Sequence, residues 1–220
     1  MLTLYSTTLS ANGRKVLAVG RQLELDIDVR LVNVYRGEGR APRYLAINPT
    51  GKIPTLVDGD LTLYESNAIL QYLCEAHGDF RLWSREPKLR GRIARWLFWE
   101  SAHWQPTLAA LLSPCVGHHL LPDLVPPPAA GPDWDADALS PLMATLGTAL
   151  SASRFLVGDE ITIADFAAAG MVTYFSLARF PFEKYPAFAE WYRRIELLEA
   201  WRATQEPLFT APPNPKSISQ

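Results

Sequence analysis

The stretch from Asn48 to Leu70, NPTGKIPTLVDGDLTLYESNAIL, constrains the fold more than any other part of the chain. It opens with Gly51-Lys52-Ile53-Pro54, a turn leading into a strand, with proline where a backbone donor would normally sit. Proline at a strand entrance is tolerated when its peptide bond is cis, which turns the preceding carbonyl and amide outward. Thr55–Val57 and Leu61–Tyr64 then flank Asp58-Gly59-Asp60, a strong hairpin signal. Glu65-Ser66-Asn67 opens an apolar-striped helix, with Ser66 placed as its N-cap. An outward-facing Ile53 backbone can pair with an extended peptide, and free amides at the helix start attract a carboxylate.

The chain on either side supplies a layer for this stretch. Met1–Tyr5 is a short apolar strand, and Gly13–Leu23 carries Val16, Val19 and Leu23 at helical spacing. Ile27, Val29 and Leu31 alternate with Asp28 and Arg30, marking a second strand. Tyr35–Ala46 reads as loop plus a short helix, and Gly78 is expected to stop the later helix after His77. The order strand, helix, strand, helix, hairpin, helix makes a small α/β domain over residues 1–78, with residues 79–87 as linker. From residue 88 to 220 the patterning is helical throughout. Helices are expected over Leu89–Leu112, Ala136–Ser151, Ile163–Leu177 and Ala187–Thr204, with Pro106 kinking the first. Leu120–Trp134 is proline-rich and reads as a surface loop, and the tail from Pro207 as extended chain.

Composition narrows the function classes. A formal net charge of −2 gives no argument for nucleic acid or for an anionic membrane surface. Cys74 and Cys115 form no CxxC or metal-spaced set, and His118 and His119 lack ligand partners at metal spacing, so no metal is expected. No signal-peptide pattern opens the chain, and no run reaches the ~18–20 apolar residues a spanning helix needs. A soluble protein of the reducing cytoplasm is the expectation.

The ordered signatures resemble the glutathione site of the cytosolic glutathione transferases. In that family a cis-proline loop pairs with the cysteinyl backbone, and a Glu-Ser pair holds the γ-glutamyl end. The resemblance implies a thioredoxin-like domain followed by an all-helical one, a homodimer, and glutathione as cosubstrate for an apolar electrophile. Carried onto this sequence, it gives Ile53 and Pro54 the cysteinyl backbone and Glu65 and Ser66 the γ-glutamyl end. Lys52 and Arg40 meet the glycyl carboxylate. Ser10, between the first strand and first helix, matches the serine that donates to the sulfur in serine-type (theta, delta and phi) classes. Asn12 complicates the picture. Ser-x-Asn-Gly-x-Lys-Val with Ile-Asn-Pro-x-Gly-Lys-Ile-Pro also resembles the nu class, in which an asparagine contacts the sulfur. The sequence therefore suggests a bacterial serine-type, theta/phi-like enzyme with nu-class features, Ser10 and Asn12 being the catalytic candidates and Tyr5 a third.

Thiol activation alone explains little rate. Lowering a thiol pKa from ~8.5 by about 2 units raises the thiolate fraction roughly 25-fold but weakens the nucleophile about 8-fold, a net gain near threefold. Holding the electrophile beside the sulfur must supply much of the rest. The resemblance places that electrophile against Trp104, Leu108, Leu111 and Phe175 of the helical half, and makes Thr162 and Asp165 a structural capping box. The leading expectation is a transferase conjugating glutathione to an apolar electrophile. Its alternatives are a nu-like glutathione-dependent disulfide reductase, a dehalogenase or isomerase, and a non-catalytic module binding apolar ligands or a partner.

Overall fold

The computed structural model describes residues 1–7 and 9–204, so the expected extended tail from Pro207 lies outside the described residues. These residues divide into two compact units, Met1–Arg81 together with the segment from Leu198, and Leu82–Leu197.

The first unit is built on four strands, β1 (Leu2–Ser6), β2 (Ile27–Leu31), β3 (Thr55–Asp58) and β4 (Leu61–Tyr64), in the order β2-β1-β3-β4. β1 pairs parallel with β2 and antiparallel with β3, which pairs antiparallel with β4. Helices α1 (Ala11–Gln22), α2 (Pro42–Leu45) and α3 (Ser66–Tyr72) join them. Alternation on β1 buries Leu2, Leu4 and Ser6, while α1 buries Val16, Ala18 and Val19 and α3 buries Ile69 and Leu70. Gly13 is dictated by packing: a Cβ there would lie 2.0 Å from Ser6 Oγ. The register sets Ser6 opposite Leu31, Tyr5 opposite Thr55, and Thr55 opposite Tyr64. The loops after β1, after β2, before β3 and after β4 therefore all open at one end of the sheet.

The sequence misplaces the cap of α3. Ser66 is the first helical residue, and Glu65 precedes it at φ 71°, so Ser66 gives no N-cap bond. After Tyr72 the helix widens into a π turn, Leu73–His77, and stops at Gly78. Gly78 has φ −103° rather than a left-handed conformation; glycine is needed because a Cβ would lie 2.9 Å from two Leu23 methyls. The last short helix, α9 (Glu199–Arg202), belongs to this unit and packs on α1. Arg14, 2% exposed, donates to Thr204 Oγ1 (3.1 Å) and to the Trp201 carbonyl (3.3 Å), its guanidinium 4.1 Å from the Trp201 ring centroid.

The second unit holds α4 (Pro87–Trp99), α5 (Gln105–Leu120), α6 (Ser140–Ala152), α7 (Ile163–Val172) and α8 (Pro186–Glu196). Every residue of α7 is buried, with α4, α5 and α8 packed on it. The single helix expected over Leu89–Leu112 is interrupted by a π turn, Glu100–Trp104. Pro106 explains the interruption, since its ring would clash with the Ala102 carbonyl of a regular helix. The wider turn has a packing consequence. Residues five apart sit about 140° around an α-helix, yet Trp99 and Trp104 stack at 5.7 Å. Pro114 also lies inside α5, and the Ala110 carbonyl it cannot serve accepts from Ser113 Oγ at 3.3 Å. Two other expected helices are shorter than their apolar patterns: α7 gives way to turns after Val172, and Ala187–Thr204 breaks where Leu198 turns extended (ψ 127°). α6 begins at Ser140, four residues later than its pattern suggests.

Candidate active site

Ser10 ends the loop that leaves β1 and is the N-cap of α1, with extended backbone (φ −92°, ψ 119°). Its buried Oγ accepts from the Gly13 amide at 3.1 Å. A hydroxyl has two acceptor lone pairs and one donor, so capping leaves the proton free for a further acceptor. Asn12, in the first turn of α1, is tied elsewhere: its Oδ1 accepts from Ser66 Oγ at 3.4 Å. That bond joins the starts of α1 and α3, two helix N-termini whose dipoles favour negative charge.

The loop before β3 is held from beneath. Its Ile53-Pro54 bond is cis. Asn48, fully buried, accepts at Oδ1 from Thr50 N (3.0 Å) and Thr50 Oγ1 (2.8 Å). Its Nδ2 donates to the Lys52 carbonyl (3.0 Å) and to Thr55 Oγ1 (2.8 Å). Tyr44, 1% exposed, donates to the same carbonyl at 2.6 Å. Gly51 takes φ 67° and approaches Gly39 so closely that a Cβ on either would lie within 2.6 Å of the other's carbonyl oxygen. Asn48 and Tyr44 were not singled out as site residues from sequence. The signal for Asn48 was present in Asn-Pro-Thr, an Asx turn waiting for Thr50. Nothing local marks Tyr44.

The remaining candidates fall into three groups. Glu65, Lys52 and Arg40 are exposed, on loops or turns at the open end of the sheet, with side chains available to a charged ligand. Tyr5 sits on β1 with its ring 6.0 Å from Tyr44. The electrophile candidates need correction. Trp104, Leu108 and Phe175 show no exposed surface, and Trp104 Nε1 donates to the Ala168 carbonyl at 2.9 Å. Phe175 lies among Trp134, Phe180, Phe182 and Phe188, with centroids 4.3–6.1 Å away. These three are core of the second unit because the aromatic run closes on itself; Leu111 alone of the four is partly exposed. Thr162 and Asp165 form a reciprocal capping box. The Asp165 carboxylate also accepts from Leu156 N and Trp191 Nε1, both at 2.9 Å, while complete burial pushes its pKa up.

Cys74 offers no nucleophile. Burial raises the Cys74 thiol to about 12, so it stays protonated. His118 Nδ1 donates to the Val125 carbonyl at 2.8 Å. Among the described residues no group of three His, Cys, Asp or Glu side chains could hold a metal, and no helix is long and apolar enough to cross a membrane.

A thioredoxin-like sheet with a cis-proline loop and a serine-capped helix at one end, followed by an all-helical unit, defines the two-part fold of the glutathione transferase class. Known proteins agree with that definition. Residues 4–81 match the glutathione S-transferase N-terminal domain and residues 128–194 its C-terminal domain. A probable glutathione S-transferase of rice (Oryza sativa subsp. japonica) is 30% identical over 164 residues, 74% of this chain and 76% of the relative. Glutathione S-transferase F10 of Arabidopsis thaliana is 31% identical over 181 residues, 76% of this chain and 77% of the relative. The crystal structure of glutathione transferase F7 from Populus trichocarpa superposes with a TM-score of 0.78 at 27% identity, covering 94% of this chain and 99% of that one. A Bombyx mori glutathione transferase gives 0.80 at 27% identity, covering 94% and 92%.

The chain belongs to the glutathione S-transferase family, and with membership come the reaction, addition of the glutathione thiol to an electrophile, and glutathione as cosubstrate. The same relatives correct the placement within the family. They are plant and insect cytosolic enzymes of the phi or delta kind, not bacterial theta/phi-like or nu-class ones. The engagement of Asn12 Oδ1 by Ser66 is consistent with that correction, because it gives the asparagine a role in joining the two helix starts.

Proposed function

We propose that glutathione lies across the open end of the first unit's sheet, with its thiol at Ser10. The observation that carries this reading is the Ser66–Asn12 bond, which ties the start of α3 to the serine-capped start of α1. In this arrangement the Ile53 backbone pairs with the cysteinyl residue, and Glu65 and Ser66 take the γ-glutamyl ammonium and carboxylate. Lys52 and Arg40 meet the glycyl carboxylate.

Magnitudes favour a direct donor at the sulfur. Lowering the thiol pKa by about 2 units requires about 2.7 kcal/mol. A helix N-terminus supplies about 0.3–1 kcal/mol, rarely ~2. A hydrogen bond to a charged group adds about 1.5–3 kcal/mol, so the Ser10 hydroxyl closes the gap. Its capping of Gly13 supports the role by fixing the hydroxyl while leaving the proton to donate. The enzyme acts as a homodimer, which light scattering tests by returning twice the 24.6 kDa chain mass.

Calorimetric titration with reduced and oxidised glutathione tests the assignment. Tight binding of the reduced form and weak binding of the disulfide are expected, with Glu65→Ala abolishing binding while the protein stays folded. Unchanged affinity in Glu65→Ala would remove that residue from the ligand, and preference for the disulfide would overturn the conjugation reading.

A further inference from the structure

The geometry points to Tyr44 as a positioning residue for glutathione: its buried phenol closes a hydrogen-bonded ring with Asn48 and Thr55 that fixes the Lys52 carbonyl, and with it the Ile53 backbone. The inference rests on the reading above, that Ile53 pairs with the cysteinyl residue.

Donor counting leaves one arrangement of hydrogens that satisfies the four shortest contacts, with a longer approach of Thr55 Oγ1 to the Lys52 carbonyl (3.4 Å) competing for the threonine proton. The Lys52 carbonyl only accepts, and it meets Tyr44 Oη at 2.6 Å and Asn48 Nδ2 at 3.0 Å. The phenol spends its single proton there. Its oxygen then accepts from Thr55 Oγ1, 2.9 Å away. Thr55, having given its proton to Tyr44, accepts from the second hydrogen of Asn48 Nδ2 at 2.8 Å. Each donor is used once, and the ring closes on the carbonyl directly before Ile53. Asn48 is locked from its other side by Thr50, so the amide cannot flip without losing two bonds. Tyr44 is 1% exposed and Asn48 and Thr55 are fully buried, which shields the Tyr44–Thr55 and Asn48–Thr55 bonds from water. Burial also raises the phenol's pKa, which keeps it a donor across the working range.

Packing does not require this oxygen. The Tyr44 ring rests on Tyr5, and phenylalanine would keep that contact while losing the ring of hydrogen bonds. What the oxygen adds is the orientation of the Lys52–Ile53 peptide. A ligand paired with Ile53 feels that orientation equally in the ground and transition states, which places the effect in KM rather than kcat.

Tyr44→Phe and Thr55→Val are tested beside Thr55→Ser in the full-length protein, with reduced glutathione as ligand and circular dichroism confirming that each variant is folded at the assay temperature. Tyr44→Phe and Thr55→Val are each expected to weaken glutathione binding about five- to tenfold, with KM for glutathione rising in parallel. kcat and KM for the electrophile should stay within about twofold. The double variant should be no weaker than the weaker single one, because the ring is already open. Thr55→Ser, which keeps the hydroxyl, should bind as wild type does. Wild-type binding with Tyr44→Phe unaffected, or a loss appearing in kcat alone, would overturn the inference while leaving the glutathione reading intact. Failure of the wild type to bind would overturn both. If Tyr44→Phe does not fold, the contrast between Thr55→Val and Thr55→Ser decides, equal affinities sinking the proposal.

Discussion

Ser10 shows how one side chain reconciles two demands that compete in the sequence. As a lone serine before a helix it is an ordinary cap, worth about 1 kcal/mol. The structure gives it that bond and still leaves its proton unspent. Asp165 is the opposite case, a carboxylate whose four bonds are all internal, to Leu156, Trp191 and both donors of Thr162. An asparagine there turns an amide NH2 toward donors that one of the carboxylate oxygens served. Asp165→Asn is therefore expected to cost about 2–5 kcal/mol, read from denaturant midpoints, with glutathione affinity of the surviving folded fraction unchanged. A loss below about 0.5 kcal/mol would mean that the buried carboxylate is dispensable.

Elements were legible in the sequence where local chemistry decides them. An apolar run gave β1, alternation β2, Asp-Gly the hairpin of β3 and β4, and Ile-Pro at a strand start the cis bond. Breaks in helices were less legible, because apolar patterning runs across them. Pro106 flagged a disturbance, but the form it took, a π turn that stacks Trp99 on Trp104, depends on packing partners far along the chain. The break at Leu198 carries no proline or glycine, and that after Val172 has only Gly170 in the last helical turn. A tertiary link at this scale gives a pH dependence. Asp58, in the hairpin, accepts from Tyr72 Oη and His77 Nε2, both at 2.7 Å, tying β3 to the end of the α3 segment. The Tyr72 bond first, then that from His77, hold the Asp58 carboxyl below its ordinary value. A lowered carboxylate stabilises the fold above its unfolded pKa of about 3.9, and that contribution is lost as pH falls through the folded value. Thermal melts of Asp58→Asn are expected to lose less stability than wild type between about pH 5 and pH 3. Parallel loss in both proteins would show that the link carries no acid sensitivity.

Across the molecule, the first unit could be read in advance because its fold is signalled by short motifs, such as Ile53-Pro54 and Asp58-Gly59-Asp60, whose geometry is set locally. The helical unit could not. Its candidate pocket residues Trp104, Leu108 and Phe175 prove to be core, since aromatic residues at helical spacing look alike whether they face a ligand or one another. Tyr44 was hidden for a related reason: its partners Lys52 and Thr55 are eight and eleven residues away and meet it only after the β3 loop folds back.

The central claim, that Ser10 sets the state of the bound thiol, is tested most directly by titrating the ultraviolet absorbance of glutathione thiolate on wild type and Ser10→Ala. The pKa of the bound thiol is expected to rise by about 1–2 units in the variant, with glutathione affinity held within a few fold. An unchanged pKa, or an affinity that collapses with it, would leave Ser10 only a helix cap and contradict the account.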